Sequence, residues 1–181
     1  MIIAKEKRKD NIAEYVMYMW HIEDLLRACK LDIDIVFEKV IEGYKADEEK
    51  TKEIKEWYIS LIHMMQSEGI TESGHLAMIK NTVNEINEIH LKLLNKNDES
   101  VYKQLYLSAK PNIDFFSVKS NIQQGSDIEL CFTAMYSYVL LKLSGKEISM
   151  PTIESINSFS KMLAVLSAKF KDWEEGRLDL N

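Results

Sequence analysis

Proline and glycine, the residues that interrupt helices, are scarce in this sequence. The 181 residues include 2 prolines and 6 glycines, whereas leucine, isoleucine, methionine, glutamate and lysine are abundant. Because proline and glycine are the least favourable residues in a helix interior, this composition favours helices over strands. The hydrophobic fraction of 46% is ordinary for a folded protein. We therefore expect residues 1–181 to form one all-α domain.

Arginine and net positive charge are also lacking. The net charge at pH 7 is −6, and the arginines are Arg8, Arg27 and Arg177. A domain that binds nucleic acid carries a basic surface that neutralises phosphates. The basic cluster at residues 5–9 is interrupted by Glu6 and is typical of a solvated helix lead-in. We therefore expect no nucleic-acid partner.

Long apolar runs and a disulfide framework are missing as well. No run approaches the ~20 apolar residues that cross a bilayer, and the N-terminal MIIAKEKRK lacks the apolar core of a signal peptide. Cys29 and Cys131 lie in apolar helical stretches, where buried free thiols are expected and a disulfide is the alternative. These features predict a cytoplasmic protein without a membrane partner.

The stretch from Asn11 to Lys30 is the most informative part of the sequence. Asn11 and Glu14 form a capping-box pattern, which predicts the start of a helix. On a helical wheel, apolar residues fill one arc of about 140°, and the opposite side mixes apolar with charged residues. Such a helix usually contacts neighbours on both faces. We predict that it is the central N-terminal helix of a bundle of about six or seven helices.

Two further helices follow this one. Asp32 or Asp34 can cap a second helix that ends near Gly43. The acidic stretch ADEEKTKE opens a third helix, because carboxylates are favoured at a helix N-terminus. Gly69 provides its C-terminal stop.

The middle of the chain is harder to assign. A fourth helix is predicted to begin at Thr71 or Ser73, and a fifth to cover residues 99–110. Pro111 is expected to end the fifth helix, because proline disfavours helical geometry in the residue before it. Residues 111–125 then form either a short helix or an ordered loop. The inward residues of the fifth helix are predicted to be Val101, Leu105 and Tyr106.

The last two helices have clear boundary signals. Ser126 or Asp127 starts the apolar stretch LCFTAMYSYVLL, which we interpret as a buried helix that ends before Gly145. Pro151 suits the first turn of the final helix. Its apolar seam has strict three- and four-residue spacing and is expected to pack along neighbouring helices. The seam consists of Ile156, Phe159, Leu163, Leu166, Phe170 and Trp173.

Trp20, Glu23 and Arg27 are the first candidate site, because they lie on successive turns of the mixed face of the first helix. A guanidinium beside an indole ring can hold a small anionic or planar ligand. The simpler interpretation is an ion pair on the surface or between helices. His90 is a further candidate at the edge of an apolar stripe, although a lone histidine there is more often a hydrogen-bonded core residue.

Several chemistries are disfavoured by missing motifs. The sequence has no HExxH pair, no Gly-rich phosphate loop and no GxSxG elbow. The Glu-x-x-His spacing of a di-iron bundle occurs once, at Glu72 and His75, without a second copy. We predict no metal and no cofactor, and we favour a binding role over an enzymatic one.

Six segments of the sequence look familiar when they are taken together: NIAEYVMYMWHIEDLLRA, EIKEWYISLIHMM, SEGITESGHL, NEINEIHLKLL, ELCFTAMYSYVLLKLSGKEIS and SKMLAVLSAKFKDWEE. In these segments the chain resembles a family of uncharacterised bacterial proteins that is defined as a domain of unknown function. The resemblance spans nearly the whole chain and implies one full-length helical domain, with no catalytic residue, cofactor or partner attached to it.

Two hypotheses about function follow from the sequence. The favoured one is a cytoplasmic helical-bundle interaction protein that forms a homo-oligomer or binds a protein partner, because apolar stripes occur on most predicted helices. The alternative is a small-molecule-binding protein or enzyme with a pocket around Trp20, Glu23, Arg27 and His90. The second hypothesis requires these four side chains to converge in space.

Overall fold

The computed structural model describes residues 2–122 and 125–180, which form eight α-helices and no strand. These helices belong to two compact units, with residues 2–9 and 14–81 in the first and residues 10–13, 82–122 and 125–180 in the second. The helices are α1 (Ile2–Asp10), α2 (Ile12–Ala28), α3 (Ile33–Val36), α4 (Glu48–Ser67), α5 (Ala77–Asn95), α6 (Ser100–Ser120), α7 (Asp127–Leu143) and α8 (Met150–Glu174).

The predicted all-α class is confirmed for this described part of the chain. The helix count exceeds the predicted six or seven because residues 2–10, which contain the basic cluster interpreted as a helix lead-in, form a separate helix, α1. Three basic residues in its last turn, Lys7, Arg8 and Lys9, complement the negative end of the helix dipole. Lys7 Nζ also lies 2.8 Å from Glu14 Oε2.

Helix α2 begins where the capping pattern predicts. The Asn11 Oδ1 atom accepts a hydrogen bond from the Ala13 amide at 3.1 Å. On the mixed face of α2, Val16, Trp20 and Glu23 are all buried. Glu14 and His21 on the same face are exposed, so this face is covered only in part.

The first unit continues through capped helices. The side chain of Asp32 accepts hydrogen bonds at the start of α3, and that of Asp47 accepts from the Lys50 amide at the start of α4. Between α3 and α4 lie a π-helical turn, Phe37–Ile41, and a 3₁₀ turn, Glu42–Tyr44. Gly69 has a φ of +68° and ends α4 as predicted.

Helix α6 corrects the prediction that Pro111 ends a helix, because it runs without interruption through that residue. The proline lies on the exposed side, while Ala109 and Ile113 are buried. Packing of α6 against α8, where Asn112 Nδ2 donates to Ser158 Oγ at 3.2 Å, outweighs the one backbone hydrogen bond that proline removes.

Two further expectations about this region were inaccurate. Val101, predicted to face inward, is exposed, and Tyr102 is buried in its place. The segment 111–125 is mostly the second half of α6, which ends at Ser120 and is followed by Asn121 with a φ of +56°. Residues 123 and 124, which that prediction also covered, lie outside the described residues.

The last two helices begin as predicted, but their exposure differs. Ser126 Oγ accepts from the Glu129 amide at the start of α7, and Pro151 lies in the first turn of α8. The second half of α7 is exposed, so the prediction of a fully buried helix holds only for its first half. The α8 seam is buried from Ile156 to Phe170, whereas Trp173 is exposed.

The cysteines and the apolar content of the helices concern two smaller expectations. Cys29 and Cys131 are buried free thiols, as predicted. No helix in the described ranges is both long enough and apolar enough to span a membrane.

Candidate functional site

A loop at residues 70–76 lies against the mixed face of α2 in the first unit. The four-residue and three-residue steps of the helix place Trp20, Glu23 and Arg27 on one side of α2. All three contact residues of this loop. The structure therefore brings these three predicted side chains together, and their common neighbour is a segment of the same chain.

Glu23 is the buried centre of this arrangement. Its side chain is 1% exposed, yet both carboxylate oxygens have partners. Oε2 lies 2.6 Å from His75 Nδ1, and Oε1 accepts a hydrogen bond from the Leu76 amide at 3.0 Å. A buried carboxylate is costly unless it is hydrogen-bonded, so these two contacts explain why an acid is tolerated at this position.

The His75 ring is held on a second side by an aromatic stack. Its centroid lies 4.0 Å from that of Trp20, and the two planes differ by 9°. The side chain is 31% exposed. Because Nδ1 points at Glu23, Nε2 is the nitrogen that remains for a proton or a ligand. This is the geometry in which a carboxylate orients a histidine for acid–base work.

Arg27 binds the backbone of the same loop. Its guanidinium donates to the carbonyl oxygen of Ile70 at 3.2 Å and to that of Gly74. It also forms an ion pair with Asp24 at 2.8 Å. The fork of donors on arginine suits several acceptors at once, so Arg27 clamps the loop to α2.

The loop also determines where α5 begins. The Leu76 amide donates to Glu23, and the Ala77 amide donates to Glu68 Oε2 at 2.7 Å. Two carboxylates from α2 and the end of α4 therefore cap this helix and complement its dipole. This explains why α5 begins at Ala77 and why the predicted starts at Thr71 and Ser73 are wrong.

His90 belongs to the second unit and has a different environment. It is 2% exposed, and its Nδ1 lies 2.6 Å from the Tyr102 hydroxyl. Burial lowers its pKa from the ordinary 6.5 to about 4, so the ring is neutral near pH 7. It matches the hydrogen-bonded core residue that the sequence allowed, and its convergence with the α2 residues stays a prediction.

A polar network lies beside His90. Its ring packs edge-on against Tyr106 at 4.9 Å between centroids, and the Tyr106 hydroxyl donates to Asp127 Oδ2 at 2.7 Å. Burial and this hydrogen bond raise the pKa of Tyr106 to about 12. Lys110 bridges Asp114 and Asp127 at 2.8 and 3.0 Å. The network links α6 to the first turn of α7.

Two further features of the described residues are the Cys131 thiol and the spacing of possible metal ligands. Burial raises the pKa of the Cys131 thiol, which keeps it protonated and unreactive. Within residues 2–122 and 125–180, no three histidine, cysteine or acidic side chains are placed to share a metal ion.

The second half of α7 presents an apolar face. Ile128, Phe132 and Tyr136 are buried at helical spacing. The same stripe continues as Val139, Leu140 and Leu143, which are 38%, 42% and 72% exposed. We call these three residues the α7 apolar face. A helix stripe of this kind is normally covered, so its exposure marks a candidate interaction surface.

Sequence reasoning missed His75 as the partner of Glu23 and missed Glu68 as a helix cap. A usable signal was the placement of Glu23 between the apolar residues Val16, Trp20 and Leu26. A carboxylate in such surroundings requires a buried partner. The identity of that partner had no local signal, because His75 lies 52 residues away.

Comparison with known proteins gives a family without an assigned activity. The chain matches no curated protein and no solved structure. The family match covers almost the whole chain, as the quoted segments predicted. The chain belongs to the family described as a domain of unknown function, DUF4924, which matches residues 1–177.

Proposed function

We propose that this protein is an interaction protein that self-associates through the α7 apolar face. The observation that carries the proposal is the continuation of a buried stripe, Ile128, Phe132 and Tyr136, into exposed apolar residues. Two copies can cover the same surface on each other, as in a two-fold symmetric dimer. The proposal includes two further predictions from the sequence. One is that α2 is the central helix of a bundle, and the other is that the protein is cytoplasmic.

The size of the face limits the affinity. Stable interfaces bury about 800 Å² on each partner, and three partly exposed side chains supply only part of that area. We therefore expect a dissociation constant no tighter than about 1 µM.

Sedimentation velocity over about 1 to 100 µM protein tests the proposal. The unaltered chain should shift from monomer to dimer in this range. Leu143→Glu should remain monomeric, because it places a charge in the contact. Leu107→Glu is the matched control, since Leu107 is 67% exposed on α6 and lies outside the face.

Two results would contradict self-association through this face. One is a chain that stays monomeric over the whole concentration range. The other is a dimer that Leu143→Glu and Leu107→Glu weaken equally.

A second candidate function is ligand binding or proton transfer at the Glu23–His75 pair. It is favoured by the 2.6 Å contact that orients His75 and by the partial exposure of that ring. Native mass spectrometry should then show a small retained mass that His75→Gln loses. His63→Gln, at an exposed position on α4, is the control. A chain without any retained mass argues against this candidate.

A further inference from the structure

A groove lies between α6, α7 and α8 in the second unit. Its volume is about 280 Å³, which is close to the lower limit for small-molecule pockets. Apolar side chains line most of it. They include Phe116, Ala134, Tyr138, Leu141, Ile156 and Phe159.

The neutral polar groups of the groove are mostly engaged within the protein. The single hydroxyl proton of Ser155 has two acceptors within reach, Asn112 Oδ1 at 3.2 Å and the Pro151 carbonyl oxygen at 2.9 Å. Ser120 Oγ donates to the Phe116 carbonyl at 2.7 Å. These side chains therefore contribute few unused donors for a neutral polar ligand.

Among the described residues that line the groove, the charge is carried by Lys119. Its Nζ lies 5.9 Å from the centre of the Phe115 ring. No carboxylate in the described part of the chain forms an ion pair with it. An apolar groove with one cation at its edge complements a ligand with an apolar tail and one negative charge.

We propose that this groove binds a small amphipathic carboxylate, with the tail on the buried floor and the carboxylate at Lys119. The volume equals that of about nine water molecules in the liquid, which suits a ligand of roughly ten heavy atoms. A medium-chain fatty acid has this size and chemistry. An amine of the same length meets a like charge at Lys119, and an alcohol lacks the ion pair.

This binding is separate from the proposed self-association. Leu141 faces the groove, whereas Val139, Leu140 and Leu143 lie about 100° to 160° away around α7. A ligand in the groove therefore leaves the α7 apolar face uncovered. Either proposal can fail without the other.

Ligand-observed NMR titration of the full chain with octanoate, 1-octanol and octylammonium at low ionic strength tests the proposal. We expect octanoate to bind about three- to fivefold more tightly than octanol, because the ion pair at Lys119 is solvent-exposed. Octylammonium should bind more weakly than both. Lys119→Gln should remove the preference for octanoate, and Lys161→Gln, on an exposed part of α8, should keep it.

Ser137→Phe gives a second variant that does not disturb the core, because Ser137 is an exposed residue that lines the groove. It should weaken octanoate and octanol together, while circular dichroism shows an unchanged helix content. Equal affinities for octanoate and octanol in the unaltered chain would overturn the proposal. Undetectable binding of octanoate at about 1 mM would also overturn it. So would an affinity for octanoate that falls when two copies of the chain associate.

Discussion

Two histidines, one in each unit, make hydrogen bonds of the same length with different partners. In the first unit His75 Nδ1 lies 2.6 Å from a carboxylate oxygen of Glu23, and in the second His90 Nδ1 lies 2.6 Å from the Tyr102 hydroxyl. His75 is 31% exposed, whereas His90 is 2% exposed. The distance alone therefore does not determine what each ring does.

The two histidines differ in role because they have different hydrogen-bond partners and different degrees of burial. A carboxylate only accepts hydrogen bonds, so Glu23 orients the His75 ring with a proton on Nδ1. A phenol both donates and accepts, so Tyr102 can serve a neutral ring that is shielded from water. Desolvation lowers the pKa of His90 to about 4. The first pair anchors a loop through a histidine that is partly exposed to solvent, and the second is a core contact.

Among the changes that test this comparison, Glu23→Ala is expected to lower the free energy of unfolding most. It leaves the His75 ring and the Leu76 amide without their acceptor, and each group that loses its hydrogen-bond partner in this way costs about 1 to 3 kcal/mol. Urea unfolding measures the change. Glu23→Gln, which keeps an acceptor oxygen, should cost less. The control Glu85→Ala, at an exposed position of α5, should stay within about 0.5 kcal/mol, and an equal effect in the control would refute the anchoring role.

Acid should destabilise the protein through His90. Its pKa is about 4 in the folded protein and ordinarily 6.5, so the unfolded chain binds the proton more readily below pH 6.5. The stability due to the neutral ring is present above that pH and is lost as the pH falls towards 4. The full loss is about 3 kcal/mol.

Urea unfolding between pH 7 and pH 4 in the unaltered chain and in His90→Gln isolates this contribution. The carboxyl groups of Asp127 and Asp114 are present in both proteins, so their contribution cancels in the difference. The variant should show a shallower loss of stability with acid. Parallel curves would show that His90 is not responsible.

Compared with Glu23→Ala and with protonation of His90, Tyr102→Phe should lower the free energy of unfolding least. It removes the hydroxyl that contacts His90 and leaves a neutral ring nitrogen buried, at a cost of about 1 to 2 kcal/mol. Thermal or urea unfolding should therefore place it between Glu23→Ala and a neutral control. Tyr138→Phe is that control, because Tyr138 is only partly buried. A loss as large as that of Glu23→Ala would remove the distinction between the two pairs.

Local signals predicted much of the secondary structure. The caps at Asn11, Asp32 and Ser126 and the stop at Gly69 were read from the sequence and confirmed. Their hydrogen bonds join residues only two to five positions apart. The physical cause of each boundary is therefore contained in the short segment that carries it.

Longer-range packing decided the points where prediction failed. Pro111 lies inside α6 because that helix packs along α8. The backbone preference of proline and its neighbours contains no information about such a contact. The exposure of Val101 and of the second half of α7 likewise depends on which neighbours are present. A periodic apolar pattern shows that a face can be buried, and it does not show that the chain covers it.

The amino-acid sequence by itself determined the helical class, most helix boundaries and the placement of Trp20, Glu23 and Arg27 on one face of α2. Only the tertiary structure decided that this face holds the loop at residues 70–76, that His75 is the partner of Glu23, and that α5 begins at Ala77. The reason is physical: a helix period arises from neighbouring residues, whereas the Glu23 carboxylate meets groups 52 and 53 residues away.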